Sequence, residues 1–475
     1  MTYCAIDFGT SNSALAYAGP ESTMPLAHLE GSFTSIPTAV FYGADDNLRS
    51  FGHAAIAAYV DGFAGRLMRS IKSILGSDLM EEATEIEPGL AIHYIDVVVI
   101  YLRHLREVAE RQRGAPLTRV VLGRPVRFVD DDARRDAQAQ DTLATAARAA
   151  GFEEIMFQFE PIAAALDYES RCTDERLVLV ADIGGGTSDF SVVRASPQRH
   201  GVLDRSADVL ANHGVHIAGT DFDRSVSLAA VMPALGYGSL GPDQRPVPTS
   251  IYFELATWHL INLCYRPNRM IELRQMRTMY TDERAHARLL GVLAQRLGHE
   301  LAARAEQAKI DVSTNGRTTI DLALIEAHLA ADFDEARQAR VLAADVDRIV
   351  VAAREAARLA GVPRERIDAV YFTGGSTGLA SLTARIAHEF ARAENVHGDR
   401  FASVVGGLAI YARNVFGNGA SDRRPRGPSV AAGTGATSSG DSLGDSTSNA
   451  SGSAGDSSGG RAGTAKKRRT RRSRT

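Results

Sequence analysis

Residues 181–191 read Ala-Asp-Ile-Gly-Gly-Gly-Thr-Ser-Asp-Phe-Ser and follow directly on the apolar run Leu177-Val178-Leu179-Val180. A short apolar run of this kind belongs in the buried centre of a sheet. Three successive glycines are costly to order, so a turn that carries them needs a reason. Close approach of the backbone to a ligand is such a reason. The N–H groups of Gly184, Gly185 and Gly186, with the Thr187 hydroxyl, are the donors a polyphosphate requires. Asp182 closes the strand, where a carboxylate can hold the water shell of a magnesium ion.

The pattern occurs once more, near the N-terminus. Ile6-Asp7-Phe8-Gly9-Thr10-Ser11-Asn12-Ser13 again places an aspartate two residues before a glycine and then offers hydroxyls, here from Thr10 and Ser11. Either turn alone reads equally well as an ordinary hairpin. The pair, about 175 residues apart with the aspartate at the same offset, predicts two related lobes that each present one loop to a shared cleft. Neither loop is a Walker A or GxGxxG sequence.

Further strand patterns stand at residues 120–128 and 369–376, and helical patterns at 132–152, 253–310 and 345–361. Strands alternating with helices give an α/β class. Asp130-Asp131-Asp132 opens the first of those helices and reads as a cap, while Gly151 ends it. Trp258 is expected in the core. His213 and His216 flank Gly214 without further ligands.

At 475 residues, 44% hydrophobic and 23% charged, the chain has room for about two to three domains with sizeable cores. It has no run of ~18 apolar residues to span a membrane and no signal-peptide pattern. Cys4, Cys172 and Cys264 show no metal-ligand spacing, so reduced thiols in a cytoplasmic protein are expected. Residues 416–475 are low in large apolar side chains and are expected to be disordered. From Asn418 onward there are 11 basic and 4 acidic residues, and seven of the basic ones cluster between Lys466 and Arg474. That tail reads either as a solubilising segment or as a salt-sensitive tether to an anionic partner: nucleic acid, lipid or acidic protein.

Taken together, IDFGTSNS, FEPIAAALDYE, ADIGGGTSDFS, AGTDFD and YFTGGST resemble the actin–hexokinase–heat-shock superfamily over residues 2–415. Within it the chain is most similar to the nucleotide-binding domain of DnaK-type chaperones, especially the short YegD-like relatives without a peptide-binding domain. The resemblance implies an actin-like ATPase fold, with two lobes that each hold a mixed β-sheet flanked by helices around a central nucleotide cleft. Lobe I would span 1–170 and lobe II 171–415, with a helical subdomain at about 225–313 and a return to lobe I near the end. It implies ATP or ADP with magnesium as ligands. Asp7, Glu160 and Asp182 would hold the metal largely through water, with Lys72 and Thr187 at the γ-phosphate and Gly9, Thr10, Ser11 and Gly184 to Gly186 around the phosphates. Gly219, Glu306, Lys309, Ser313, Gly374, Gly375 and Ser376 would meet the adenosine. Two departures stand out: Ile310 where the chaperones have an arginine beside the purine, and Gly378 where they have a basic residue beyond the adenosine turn.

The function implied is slow ATP hydrolysis that opens and closes the lobes for a protein partner or client. No alternating strand pattern for a peptide-binding half follows Phe416. The alternative is a filament-forming ATPase of the actin/MreB kind. A small-molecule kinase ranks last, since no acceptor site is evident.

Overall fold

Both glycine turns are hairpin turns in the three-dimensional structure, a computed structural model that describes residues 2–417 apart from 45–48, 88, 130–131, 171 and 243. The basic tail and the Asp130-Asp131 pair therefore lie outside the described residues. Strands β1 (Tyr3–Phe8) and β2 (Asn12–Tyr17) are antiparallel, with Phe8 opposite Ser13. β3 (Ser35–Pro37) adds to β2, while β4 (Arg119–Arg124) and β5 (Glu154–Phe159) continue in parallel from β1. The order is β5-β4-β1-β2-β3.

The second half of the chain builds the same sheet again. β6 (Arg176–Ile183) and β7 (Ser188–Ala195) form the hairpin, with Asp182 opposite Asp189. β8 (Val209–Val215) adds to β7, and β9 (Ala369–Thr373) and β10 (Glu394–His397) run parallel from β6, giving β8-β7-β6-β9-β10. The two orders correspond strand for strand, so the faint sequence repeat is a repeat of structure. β1, β4, β6 and β9 are buried on both faces, which is why they read as continuous apolar runs.

Helices α1 (Tyr94–Arg113), α2 (Ala133–Ala149) and α3 (Glu160–Glu169) belong to the first half. α4 (Gly219–Val226), α5 (Gly298–Asn315), α6 (Glu335–Leu359), α7 (Ala380–Glu389) and α8 (Ser403–Ala412) belong to the second. Asp132 caps α2 by accepting from the N–H groups of Arg134 and Arg135, and Gly151 follows its end at φ 102°. α6 starts ten residues before the expected Asp345, because Asp334 caps it by accepting from Arg337 N. The helical stretch at 253–310 is broken into short pieces, with Pro267 in the first turn of one and Arg296 at φ 57° before α5.

The helices after the last strand of each sheet cross over. α3 packs on β6 and β7, and α8 packs on β1 and β4. They meet so closely that a Cβ on Gly407 would lie 1.8 Å from the Ala163 carbonyl oxygen. One core layer consequently holds Ala5 and Val121 of the first sheet together with Val178 and Tyr371 of the second. The last described turn ends at Gly417 and sets the Phe416 ring 5.8 Å from that of Tyr3.

An ion network fastens the far end of α3. Arg205 donates to Glu169 Oε1 at 2.6 Å and also to Asp208, and all three side chains are fully buried. Arg199 completes the balance at 2.6 Å from Asp208. Paired in this way, the buried charges avoid the penalty each would carry alone.

Candidate functional site

The two glycine turns face each other. A Cβ on Gly185 would lie 2.0 Å from Ser11 Oγ, so the loops of the two lobes approach to contact and any larger residue there would push the Ser11 side chain aside. The first loop is braced from behind. Thr38 Oγ1 donates to Gly9 O at 2.8 Å and shares a 2.8 Å hydrogen bond with Ser13, while Thr38 N reaches Ser11 O. The second is braced by Gly184 N to Thr187 O (3.0 Å), Thr220 N to Gly185 O (2.8 Å) and Ser376 Oγ to Gly184 O (2.6 Å). Thr10, Ser11, Gly184, Gly185, Gly186 and Thr187 are all half-buried, as the lining of a cleft would be.

Beneath the loops lies a charged centre drawn from both lobes. Lys72, in the short helix Ile71–Ile74, places its Nζ 2.6 Å from Glu160 Oε1 at the start of α3. The residue before that helix, Ser70, takes left-handed backbone angles (φ 58°), a costly conformation for a non-glycine residue. Burial pushes the Asp7 carboxyl up to about 7 and the Glu160 charge adds to this, against the opposing pull of Lys72. Asp182 is raised well above the carboxylate range by burial first, then by Glu160, Asp189 and Asp7. Burial alone would lower Lys72, but Glu160, Asp7 and Asp182 outweigh it and its proton is held more tightly than usual. Gly123 in β4 leaves the room this requires, since a Cβ there would stand 3.3 Å from Glu160 Cγ.

Three carboxyl groups, two of them holding their protons because burial and one another oppose their charge, surround a single ammonium, and a divalent cation is what would let all three ionise. Among the described residues no three His, Cys, Asp or Glu side chains close into a direct ligand set. Magnesium, which retains several waters, suits such a loose arrangement.

The expected adenosine residues are only partly drawn together. Gly374 (φ 88°) packs so tightly that a Cβ would lie 2.5 Å from Ile183 O, and a Cβ on Gly219 would lie 2.7 Å from Ser376 Oγ. Gly219, Gly374, Gly375 and Ser376 thus form one surface with the second glycine loop. On α5, Lys309 is engaged with Asp223 at 2.6 Å, and Ser313 donates to Lys309 O while accepting from Gln338. Glu306 is exposed.

Trp258 packs against the edge of the core of the second half rather than inside it. It is half-buried, with the Arg69 guanidinium 4.7 Å above its ring and Tyr59 and His299 beside it. Thr38, Gly123, Asp189 and Arg69 escaped the sequence reading. Only Gly123, a glycine inside a strand pattern, carried a signal of close approach.

Comparison with known proteins agrees with this geometry. Residues 3–231 match the family model described as Hsp70 protein. The chain is 28% identical over 434 residues to a chaperone protein HscA homolog of Azoarcus sp., covering 88% of this chain and 58% of that protein. HscA homologs of Shewanella denitrificans (26% identical) and Haemophilus influenzae (25%) align over 87% of this chain, and each is likewise covered over 58% of its length. Residues 3–231 are thus an Hsp70-family domain, and the described fold is the mixed α/β architecture of the Hsp70 and actin-like ATPases. The chain spans less than two thirds of the length of these relatives. No helix among the described residues is long and apolar enough to cross a membrane.

Proposed function

We propose that the chain binds ATP and ADP with magnesium and hydrolyses ATP slowly, as a cytoplasmic nucleotide switch of the DnaK/YegD chaperone type. The observation that carries this reading is the Lys72–Glu160 pair, set among Asp7 and Asp182 beneath two glycine loops that touch at Ser11 and Gly185. In this reading Asp7, Glu160 and Asp182 hold the hydrated metal, which when bound neutralises polyphosphate charge. The N–H groups of Gly9 and Gly184 to Gly186, with the hydroxyls of Thr10, Ser11 and Thr187, take the phosphate oxygens. Lys72, fixed in its charged form, stabilises negative charge at the γ-phosphate and orients the attacking water. Gly219, Gly374, Gly375 and Ser376 seat the ribose and base, with Glu306, Lys309 and Ser313 at the edge. Because each lobe supplies one loop, nucleotide state sets how far the lobes close, and a protein partner or client reads that closure.

Single-turnover hydrolysis tests the assignment. Asp182→Asn and Lys72→Ala each lose roughly 100-fold or more in rate while still binding nucleotide. Wild-type rates in both variants would sink it. An ATP-dependent rise in light scattering would mark a filament-forming ATPase instead.

A further inference from the structure

The turn that seats the base is nearly bare. From Gly374 to Gly378 it carries only the side chains of Ser376 and Thr377, and both hydroxyls are spent on backbone carbonyls, those of Gly184 and Gly374. Yet the space the glycines leave is filled from elsewhere. A Cβ on Gly378 would lie 2.6 Å from Nη1 and 2.9 Å from Cζ of Arg400, and one on Gly375 would lie 3.2 Å from the ring edge of Phe401. Both residues come from the loop between β10 and α8. Asp399 fixes that loop by accepting from Phe401 N at 3.0 Å and Ala402 N at 2.9 Å.

Their surroundings give neither residue an evident structural duty. Phe401 is 45% exposed, and among the described residues Arg400 has no ion-pair or hydrogen-bond partner. A guanidinium plane and an aromatic ring are the two side-chain surfaces that best stack on a nucleobase. Ile310 on α5, 47% exposed, offers no charge for that purpose.

We propose that Arg400 and Phe401 form the base-stacking wall of the cleft and take a purine nucleoside di- or triphosphate, with Arg400 standing in for the basic side chain that Gly378 lacks. The inference rests on the nucleotide reading above and names which residues hold the base.

Calorimetric titration with ADP, and separately with inorganic tripolyphosphate, tests it in the full chain. Arg400→Ala, Arg400→Lys and Phe401→Ala each weaken ADP binding by about fivefold or more while tripolyphosphate binding stays within about twofold. Adding Gly378→Arg to Arg400→Ala restores ADP affinity at least in part. ADP affinities within about twofold of wild type in both alanine variants, or equal losses for the two ligands, overturn the proposal. A wild-type protein that binds neither ligand overturns the nucleotide reading itself. Unchanged ligand-free melting temperatures in the variants exclude a folding defect as the source of any loss.

Discussion

Replacing Asp7 by asparagine in the ligand-free protein should make it more stable at neutral pH, and the size of the gain follows from the charged centre. The Asp7 carboxyl titrates near 7, against an ordinary value of 3.8, because burial and then Glu160 oppose its charge more than Lys72 favours it. An acid whose folded pKa exceeds its unfolded one binds more protons when folded. Its contribution to stability is therefore complete below about 4, declines as the pH rises towards 7, and is lost above that. A gap of roughly three pH units is worth about 4 kcal/mol, and solvent reaching the half-buried side chain trims this to about 2–4 kcal/mol. Asparagine keeps the shape and removes the charge. At the unfolding entropy of a chain this size the variant melts about 2–5 °C above wild type at pH 8. The two curves converge as the pH approaches 4.5. Thermal melts in EDTA across pH 4.5–8.5 measure this, and the difference between the two proteins cancels every titrating group except those that feel the Asp7 charge, chiefly Asp182 and Lys72. A gap that does not change with pH, or an asparagine variant that melts lower at pH 8, refutes the reasoning.

Two further substitutions probe close contacts. Gly407→Ala places a methyl group 1.8 Å from the Ala163 carbonyl oxygen, where only backbone can yield, and it should cost about 3 kcal/mol or more, seen as a fall in melting temperature. Gly185→Ala forces Ser11 aside and so weakens ADP binding severalfold in calorimetry. Ser11→Gly in the same chain removes the colliding atoms, Ser11 Oγ at 2.0 Å and Ser11 Cβ at 3.0 Å, and restores binding in part, short of wild type by the lost Ser11 hydroxyl.

The sheet hairpins were legible because their signal is local. Asp7 and Asp182 each sit at the end of an apolar strand that turns on glycine, and strand, turn and carboxylate all lie within a dozen residues. The pairing of Lys72 with Glu160 spans 88 positions. No periodicity predicts it, and the resemblance assigned the two residues separate roles without pairing them. Thr38 went unnoticed for the opposite reason: its sequence neighbourhood is ordinary, and its importance comes entirely from the Gly9 carbonyl it meets. Trp258 was expected fully inside the core because burial of a large aromatic is a good default, and it lies at the core's edge instead. Here the ring lies under a guanidinium from the other half of the chain. The early start of α6 was hidden because Asp334 caps a first turn with few apolar side chains.

The contacts between the halves of the chain differ in kind from floor to rim, and that difference sets where they can part. At the floor, α3 and α8 touch through backbone at Ala163 and Gly407, within an apolar layer shared by both sheets. Separation there would open a void against close-packed backbone and expose apolar surface on both sides, which is costly. At the rim the contacts are side chain to side chain. Tyr59, on the helix Gly52–Val60, meets His299 at 3.2 Å and accepts from Asn262 at 2.7 Å, and Arg69 covers Trp258. Burial lowers the His299 pKa to about 4, so the imidazole is neutral at physiological pH and these contacts carry no buried imidazolium charge to separate. Water can replace each rim hydrogen bond at a net cost of only about 1 kcal/mol, whereas nothing replaces the floor packing. The loops carrying Ser11 and Gly185 also meet across the halves, through the half-buried Ser11 side chain rather than through an apolar layer. A displacement that keeps the helix crossing intact and parts the rim contacts is therefore the least costly way to separate these two loops.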